Sequence, residues 1–445
     1  MDNPVFFKKL LTEKWLNTAQ ILSSLSHLSH LVYLKNVNQP VIAFFASEYL
    51  LKQGEVTQNF TRVSLHQYQE KSQSINFSHF FKKNTQTYHS DFNGGLIGFI
   101  SYDHAAQQQV YIREKKQPSF FLGIYRSYLK LTSKGWTFFS DEDEAESIFQ
   151  VIQNAIKYKG HPSFSLNQPC NARWNKHEYV TAFKKIQDYI KAGDCYQINL
   201  TQEFTAKAQG CLLATAEKFW KLTDAPYSGY LKIDDFELLS CSPELFINFE
   251  ENRKIVTRPI KGTMPRYADP KQDEQSKKNL IHSKKDQAEN VMIVDLLRND
   301  LSVYAETGSV KTPQLFGIES FNQVHHMVSE VTATLKQDIN PFKVLMSALP
   351  GGSITGAPKI RAMQIIDEVE GALRGAYCGS MGYFNFDGTG SWNILIRSIQ
   401  KYQEDVSIWA GGGITIASDC DAEYQECFDK VSAMLDLLNT WQKKS

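Results

Sequence analysis

Residues 178–204 read EYVTAFKKIQDYIKAGDCYQINLTQEF and contain the sharpest change of local pattern in the chain. Apolar side chains recur at helical spacing as far as Ala192, which predicts an amphipathic helix. Gly193 suits the end of that helix, because glycine adopts the left-handed backbone of a helix C-cap without steric penalty. The residues CYQINLTQEF that follow are typical of a strand. A helix that runs directly into a strand indicates a mixed fold.

Runs typical of strands and of helices are mixed on both sides of this stretch. The strand-like runs before it are LVYL, PVIAFFA, GGLIGFISYD, SFFLGIYRSYLKL and WTFF, and those after it include FELLSCSP, ELFINFE and KIVTRPI. One long helix is predicted from Gln275 to Asp300, and a terminal helix over EYQECFDKVSAMLDLLNTWQKK. Between them, AYCGSMGYFNF, SWNILIRSIQ and VSIWAGGGITI read as consecutive antiparallel strands. Because a steady βαβ alternation is missing, the pattern favours an α+β fold.

The polar segment 159–171, KGHPSFSLNQPCN, is the best candidate for a boundary within the chain. It has one glycine, two prolines and little hydrophobic pattern. We therefore predict an amino-terminal region, residues 1–160, and a second region, residues 173–440, which carries most of the motifs discussed below.

The composition is that of a globular protein without a preferred charged partner. Of the 445 residues, 42% are hydrophobic, and 48 basic residues balance 48 acidic ones, so no global field favours nucleic acid or an anionic membrane. The amino terminus lacks a signal-peptide pattern, and apolar runs are too short to span a bilayer. Seven scattered cysteines without CxxC spacing indicate reduced thiols rather than a structural zinc site. We expect a cytoplasmic protein.

Two acidic pairs repeat the same spacing. Asp286 and Glu289 are three residues apart in one predicted helix, and Glu423 and Glu426 are three apart in another. Carboxylates at that spacing share a helix face. Two such faces brought together would offer oxygen ligands suited to Mg²⁺. A single pair of this kind is usually solvated surface, so the prediction depends on what surrounds the two pairs.

Two glycine-rich segments are candidates for contact with an anion. GGSITGAPKIRA, residues 351–362, fails the phosphate-loop pattern of nucleotide-binding proteins, because Ala357 and Pro358 precede Lys359. A glycine-rich turn before a helix still offers backbone N–H groups to an anion. AGGGIT, residues 410–415, is interpreted as a second loop, in which three glycines permit close backbone approach. A tight turn between strands is the alternative for both segments.

Three side chains with apolar neighbours are candidates for chemistry. Arg397, predicted within the strand NILIRS, needs a partner, because an unpaired buried charge is costly. A substrate carboxylate or an internal Asp or Glu would serve equally. His326, in HHMVSEV, has a pattern that is more often structural than catalytic. Lys261, in TRPIKGTMPR, would become a nucleophile only if burial or a nearby cation lowered its pKa; otherwise it is a surface lysine.

Taken in order, these motifs resemble those of the chorismate-utilising family, which includes anthranilate, aminodeoxychorismate, isochorismate and salicylate synthases. The matching segments span residues 173–438 and are GDCYQINLTQ, SPELF, TRPIKGT, AENVMIVDLLRND, HHMVS, PGGSITGAPKIRAM, YCGSMGY, IRS, AGGGIT and EYQECFDK. GGLIGFISYD resembles the amino-terminal part of the amidating members. The resemblance implies one intertwined α+β body, with two large, mostly antiparallel sheets packed face to face and helices outside.

The resemblance also implies roles for individual residues. Glu244 matches a general acid that protonates the departing hydroxyl, and His326 matches a histidine beside the reacting ring. The magnesium-ligand positions of the family are matched by Glu289 and Glu426, with support from Asp286 and Glu423. The substrate-contact positions are matched by Thr355, Gly356, Tyr377, Arg397, Gly411, Gly412 and Gly413.

Two positions separate the branches of the family. Water-adding members carry a lysine base where this chain has Gln197, and a neutral amide cannot activate water. Anthranilate synthases typically read PIAGT, whereas aminodeoxychorismate synthases read PIKGT, as this chain does at Lys261. The resemblance therefore implies Mg²⁺-dependent amination of chorismate at C4, for 4-aminobenzoate and folate. The alternatives left open are the large subunit of an anthranilate synthase and a non-catalytic chorismate-binding paralogue.

The resemblance further implies a partner that supplies ammonia. Cys195 and Cys378 lack the GxCxG-type setting of a glutaminase nucleophile, so a separate glutaminase subunit is expected. Two departures from the family pattern remain. After RND, many relatives have a Gly-Arg pair where this chain has Ser302 and Val303, and the first sixty residues have no LLES-type stretch of a tryptophan pocket. Feedback inhibition by tryptophan is therefore not expected.

Overall fold

The computed structural model describes residues 7–35, 39–72, 91–113, 115–157, 161–321 and 324–443. Residues 1–6 of the predicted amino-terminal region, and residues 159 and 160 of the predicted boundary segment, lie outside these ranges. Strands and helices are numbered along the chain. All the strands named in the described ranges belong to two large sheets, whose named pairings are all antiparallel.

The first sheet has thirteen strands among the residues described. They are β1 (Phe7–Leu10), β2 (Val32–Leu34), β3 (Val41–Ala43), β9 (Ser127–Thr132), β10 (Gly135–Ser140), β11 (Phe164–Leu166), β12 (Asn171–Ala172), β13 (Gln197–Gly210), β14 (Tyr227–Ile233), β15 (Phe236–Ser242), β21 (Gly356–Ala357), β24 (Ser398–Tyr402) and β25 (Asp405–Ile414). Their order is β1-β10-β9-β3-β2-β14-β15-β24-β25-β13-β11, and β12 and β21 also pair with β13.

The second sheet has twelve strands within the same ranges. They are β4 (Glu48–Gln53), β5 (Val56–Ser64), β6 (Gln67–Lys71), β7 (Gly95–Ile100), β8 (Pro118–Tyr125), β16 (Leu245–Phe249), β17 (Lys254–Arg258), β18 (Ile260–Pro265), β19 (Lys311–Ser320), β20 (Val324–Thr334), β22 (Ser380–Asn385) and β23 (Gly390–Asn393). Their order is β18-β20-β17-β16-β23-β22-β7-β8-β4-β5-β6, and β19 pairs with β20. Each sheet therefore combines strands from before residue 160 with strands from after residue 173.

Eleven α-helices accompany the sheets in the part of the chain described. They are α1 (Thr18–Leu25), α2 (Tyr102–Ala106), α3 (Ala145–Lys157), α4 (Lys176–Ala192), α5 (Ala216–Thr223), α6 (Pro270–Ile281), α7 (Lys284–Ser302), α8 (Pro341–Ala348), α9 (Lys359–Glu370), α10 (Cys420–Asp429) and α11 (Ser432–Asn439). The predicted end of α4 is confirmed, because Gly193 adopts a left-handed backbone with φ of 84°. No described helix combines the length and the apolar character needed to cross a bilayer.

The two sheets pack face to face around a shared core. Phe99 of the second sheet stacks on Phe236 of the first, with ring centroids 5.1 Å apart, and both side chains are fully buried. Leu238 of the first sheet and Ile97 of the second belong to the same buried cluster. The predicted α+β architecture with two large antiparallel sheets is confirmed.

Two predicted long helices are wrong in detail, because each is divided in two. The first is interrupted where Ser283, the N-cap of α7, accepts a hydrogen bond from the N–H of Asp286, so α6 and α7 are separate. The terminal helix is interrupted between Asp429 and Ser432, where Val431 leaves the helical conformation. At the first break the serine hydroxyl satisfies a backbone N–H that would otherwise bond within one continuous helix, and helix propensity alone does not show where this occurs.

The prediction of three consecutive strands near the end of the chain also needs correction. The segment SWNILIRSIQ forms β23 in the second sheet and β24 in the first, so the chain crosses between sheets at residues 394–397. Arg397 is therefore in the crossing and not in a strand, and its φ of 49° is left-handed. The segment AGGGIT is not a loop, because Gly411, Gly412 and Gly413 are inside β25 and pair with β13.

Candidate active site

Helix α7 places the first acidic pair, Asp286 and Glu289, beside the first residues of β18. Asp286 lies against Gly262, where an added Cβ would be 2.9 Å from Asp286 Cγ. Glu289 Oε2 is 3.8 Å from Lys261 Nζ, and both side chains are mostly buried. The absence of a side chain at Gly262 thus lets α7 approach the strand that carries Lys261.

Helix α10 places the second acidic pair over the glycines of β25. A Cβ added to Gly412 would be 2.9 Å from both Glu423 Oε2 and Glu426 Oε1. Burial raises the pKa of Glu423, and the neighbouring charge of Glu426 raises it further. Burial also opposes ionisation of Glu426, but the adjacent Lys430 holds its pKa below the ordinary value. The bare backbone therefore leaves room for two close carboxylates.

Lysines supply the opposite charge at both acidic pairs. The ion pairs are Lys261–Glu289 at 3.8 Å, Lys285–Glu423 at 3.8 Å and Lys430–Glu426 at 2.5 Å. Lys430 Nζ also donates to the carbonyl of Gly411 at 2.7 Å. Sequence reasoning missed Lys285 and Lys430. The four-residue spacing from Glu426 to Lys430 was a usable signal, whereas Lys285 meets its partner only through the packing of α7 near α10.

The chemistry of these donors fits Mg²⁺, because carboxylate oxygens are the ligands that this ion prefers. Glu423 and Glu426 repel each other, and a bound cation would relieve that repulsion. The charge of one glutamate from each pair, Glu289 and Glu426, influences the pKa of Lys261. Among the residues described, no three His, Cys, Asp or Glu side chains form a group spaced to hold a metal.

Glu244 and Lys261 are two buried ionisable groups that influence each other. Glu244 precedes β16 and is 5% exposed. Burial raises the pKa of Glu244 to about 7, although the charge of Lys261 opposes the shift. Burial lowers the pKa of Lys261, and Glu289 opposes that shift. Both shifts favour the neutral forms, so the pair combines a carboxyl group protonated near neutral pH with a more readily available amine.

His326 and Arg397 line one cavity of about 140 Å³, to which Lys430 also contributes. His326 Nδ1 is 2.9 Å from Thr263 Oγ1. Burial lowers the pKa of His326 to about 4, and the charge of Arg397 lowers it too. The imidazole is therefore neutral at pH 7. The lining of the cavity therefore includes a neutral histidine, two cationic side chains and one acidic residue, Asp429. The cationic side chains outnumber the acidic one, which suits an anionic ligand.

Arg397 is partly buried beside this cavity. Burial lowers its pKa, and only the more distant charges of Cys241 and Glu244 oppose the shift. No carboxylate lies within ion-pair distance of Arg397 in the described part of the chain, which disfavours the internal Asp or Glu that the sequence left open. A partly buried guanidinium that lines a cavity is suited to a ligand carboxylate.

Gln197 and the glycines of β25 pack against one another. A Cβ on Gly413 would lie 2.0 Å from Gln197 Nε2, and one on Gly411 would lie 2.1 Å from the carbonyl oxygen of Leu200. Gln197 is 1% exposed, and its Oε1 has no hydrogen-bond partner among the residues described. Gly411 and Gly413 are therefore required by close approach within the sheet, and Gly412 by the approach of α10, rather than by a turn.

The remaining predicted contact residues lie around the start of β13 and in the core. Thr355 is fully buried and donates to the carbonyl of Gly351 at 2.9 Å. Gly356 has φ of 145°, and a Cβ there would lie 2.1 Å from the carbonyl oxygen of Gln197. Tyr377 is stacked on Trp409, with ring centroids 5.9 Å apart. Tyr377 does not line the cavity of His326 and Arg397.

Comparison with known proteins assigns a family to this arrangement. Residues 35–436 match the family described as chorismate binding enzyme. The chain is 42% identical, over 359 residues, to aminodeoxychorismate synthase component 1 of Klebsiella aerogenes, and the match covers 79% of each chain. It is 37% identical over 296 residues to anthranilate synthase component 1 of Bacillus subtilis, covering 66% of this chain and 56% of that relative.

A solved structure shares the fold. Anthranilate synthase component I from Streptococcus pneumoniae superimposes with a TM-score of 0.76 at 24% sequence identity. The match covers 89% of this chain and 92% of the solved one. The two-sheet architecture is therefore common to both proteins.

Proposed function

The chain belongs to the family of chorismate binding enzymes, and on that premise we propose that it aminates chorismate at C4, with ammonia, to give 4-amino-4-deoxychorismate. The carrying observation is the similarity to aminodeoxychorismate synthase component 1, which exceeds the similarity to anthranilate synthase component 1 in both identity and coverage. The product keeps its enolpyruvyl group, and a separate lyase would convert it to 4-aminobenzoate for folate.

Glu244 acts as the general acid in this proposal. With a pKa of about 7 it is substantially protonated at neutral pH and can give its proton to the C4 oxygen of chorismate. The C4–O bond then breaks and water leaves. An exposed glutamate would be ionised at this pH and could not serve.

Lys261 acts as the nucleophile. Its buried amine bonds to C2 of chorismate as the C4–O bond breaks, and the ring double bonds move to accommodate both changes. Ammonia then bonds to C4 while the bond between C2 and the lysine nitrogen breaks, which returns the free lysine. Two displacements leave the configuration at C4 unchanged. The depressed pKa of Lys261 supports this role, because a protonated amine has no electron pair to donate.

The carboxylates of chorismate bind to cationic and backbone groups. We assign Arg397 to one carboxylate, and Thr355, Gly356 and residues 411–413 to the backbone contacts. His326, neutral at pH 7, lies beside the ring as a hydrogen-bonding partner that adds no charge. We retain Gln197 and Tyr377 as proposed contacts; Gln197 offers a buried carbonyl oxygen that lacks a donor within the described structure.

Mg²⁺ is the proposed cofactor, with Glu289 and Glu426 as ligands and Asp286 and Glu423 in support. When bound, it supplies positive charge that draws electron density towards the ring carboxylate. Calorimetric titration with Mg²⁺ alone is expected to show binding that Glu289→Gln and Glu426→Gln weaken. Glu274→Gln, which removes a charge from an exposed i,i+4 pair with Lys278, should bind Mg²⁺ as the wild type does. Equal binding by all four proteins would exclude this ligand set.

A separate glutaminase is the proposed source of ammonia. The relatives are named component 1, which implies a second component. Burial raises the pKa of Cys195, and it raises that of Cys378 to about 12, so neither thiol is poised to attack glutamine. Glutamine is expected to replace ammonium only after a glutaminase subunit is added. Amination by the purified chain with glutamine alone would refute the need for a partner.

The decisive experiment is a product assay with the purified chain, chorismate, Mg²⁺ and ammonium, analysed by mass spectrometry. An aminated product that keeps the enolpyruvyl group, with no pyruvate released, is expected. Anthranilate and pyruvate in equal amounts would mean that the chain is an anthranilate synthase. Binding of chorismate without conversion would indicate the non-catalytic paralogue.

A further inference from the structure

Arg374 is a buried arginine to which the proposed mechanism gives no task. It follows α9 and is only 1% exposed. Its Nε and Nη2 donate to the two carboxylate oxygens of Glu370, at 2.9 and 2.7 Å. A buried ion pair of this kind adds little to stability compared with apolar side chains of the same size. Because the ion pair by itself contributes little stability, the hydrogen bonds that Arg374 makes to other groups are the more informative contacts.

Those contacts are with backbone that carries proposed substrate-binding residues. Arg374 Nη1 donates to the carbonyl of Ile354 at 2.9 Å, and Nη2 donates to the carbonyl of Asn199 at 2.8 Å. Ile354 directly precedes Thr355 and Gly356. Asn199 belongs to β13, two residues after Gln197. One guanidinium thus joins the turn at residues 351–356 to the strand beside it.

Asn199 strengthens the same junction. Its Nδ2 donates to the carbonyl of Ile354 at 3.1 Å, and its backbone N–H donates to the carbonyl of Thr355 at 2.8 Å. The Ile354 carbonyl therefore accepts two hydrogen bonds, one from Asn199 and one from Arg374. Two donors fix the orientation of that peptide more tightly than either donor would alone.

The amino-terminal region holds Arg374 from the other side. The ring of Tyr102 lies 4.7 Å from the guanidinium carbon. The backbone N–H of Tyr102 donates to the carbonyl of Gly375 at 2.9 Å, and the N–H of Gly375 donates to Asp103 Oδ2 at 2.9 Å. Tyr102 and Asp103 belong to the motif GGLIGFISYD, to which the sequence alone gave no role.

We propose that Arg374, held by Tyr102 and Asp103, is a positioning residue that orients the turn at residues 351–356 for chorismate. This inference rests on the proposed function, because it takes Thr355 and Gly356 as chorismate contacts. Arg374 touches no substrate in this proposal and acts only through the Ile354 and Asn199 carbonyls. The inference predicts that substitution of Arg374 raises the KM for chorismate and leaves the KM for ammonium unchanged.

Arg374→Lys tests this prediction. The lysine keeps the charge that Glu370 needs but cannot reproduce the planar fork of four donated bonds. The KM for chorismate is expected to rise by about tenfold, the order of a lost charge-assisted hydrogen bond, while the KM for ammonium stays unchanged. A fall in kcat with both KM values unchanged would overturn the inference, because a purely structural defect removes active molecules without altering KM.

The matched control is Arg253→Lys. Arg253 also donates to backbone carbonyls, those of Leu335, Lys336 and Ile339, in a part of the fold that contains no proposed site residue. Both KM values of this variant are expected to equal those of the wild type. A rise in its KM for chorismate equal to that of Arg374→Lys would also overturn the inference, because the effect would then lack specificity.

If Arg374→Lys does not fold, Asn199→Ala tests whether the hydrogen bonds to the Ile354 carbonyl position the turn for chorismate. It removes one donor from the Ile354 carbonyl and should raise the KM for chorismate by a few-fold; an unchanged KM would count against the inference. Failure of the proposed function is distinguishable. If the wild type forms no aminated product from chorismate and ammonium, the function is wrong. If the wild type is active and only the expected KM effect is missing, the positioning role is wrong.

Discussion

Glu244 and Lys261 acquire their chemistry from burial, at the scale of single residues. The same two side chains at the surface would be a carboxylate and an ammonium group at neutral pH. Burial moves the pKa of each towards the neutral form, and the proximity of their charges limits both shifts. The uncharged neighbours of Lys261 in TRPIKGTMPR made it a candidate, but its nucleophilic role was implied only by resemblance, since no local feature of the sequence establishes burial.

The pH dependence of amination should follow Glu244. Its pKa is raised to about 7, so the proton-donating form predominates below pH 7 and is lost as the pH rises through that value. We expect kcat/KM for chorismate to decline above about pH 7. Glu244→Gln should lower the rate by about 10²–10⁴-fold and remove this decline. Measurement of kcat/KM between pH 6 and 8.5 for both proteins tests the assignment, and a decline that persists in the variant would assign the titration to another group.

Lys261→Ala should lower the amination rate by at least about 10²-fold, because the covalent step would lose its nucleophile. Lys254→Ala is the matched control, since Lys254, the first residue of β17, is an exposed lysine paired with Glu250. Single-turnover amination with ammonium would compare the three proteins. A rate of the Lys261 variant equal to that of the wild type would rule out the covalent step.

At the scale of elements, a strand with adjacent glycines creates the space for acidic side chains from a helix. Glu423 and Glu426 of α10 lie where a side chain at Gly412 would otherwise be. The helix itself was expected from its pattern, and its acidic spacing was visible. That α10 lies across β25 follows from the tertiary fold, in which these two elements pack closely.

Gly412→Ala should weaken Mg²⁺ binding, because the added Cβ would lie 2.9 Å from both glutamate carboxylates and displace them. A loss of about 10–100-fold in affinity is expected, as for other disturbances next to metal ligands. Gly371→Ala is the control. Its φ of 61° makes alanine costly for stability, but nothing lies within 4 Å of the new carbon, so Mg²⁺ affinity should not change. Calorimetry with Mg²⁺ alone measures both, and unaltered affinity of Gly412→Ala would contradict the proposed site.

At the scale of the whole molecule, the candidate active site depends on two sheets that both regions of the chain build. The strands β7 and β8 of the amino-terminal part belong to the same sheet as β16, β17 and β18. Glu244 directly precedes β16, and Lys261 lies in β18. The chain crosses to the other sheet at Arg397. The packing of the sheets against each other therefore sets the distance between Arg397 and the reacting groups.

Phe99→Ala should destabilise the protein by about 3–5 kcal/mol, the usual effect of removing a buried phenyl ring from a core. Phe99 is fully buried and stacks on Phe236 across the interface between the sheets. Val63→Ala, at a side chain that is 60% exposed, should change stability by less than about 0.5 kcal/mol. Urea unfolding measures both, and equal midpoints would show that the shared core does not limit stability.

The sequence by itself determined local features of the elements and the inventory of chemical groups. Helix α4 ends at Gly193 as expected, since glycine at a C-cap is a local effect, and the acidic pairs were identified from helical spacing. Only the tertiary structure decided between the strand and the loop that the sequence allowed for AGGGIT, and only it placed Arg397 in a crossing between sheets. It also decided that Lys285 and Lys430 pair with Glu423 and Glu426 and that Arg374 donates to the Ile354 and Asn199 carbonyls. The physical reason is that strand pairing and burial join residues far apart in the chain, as β13 and β25 do, and local propensity carries no information about such partners.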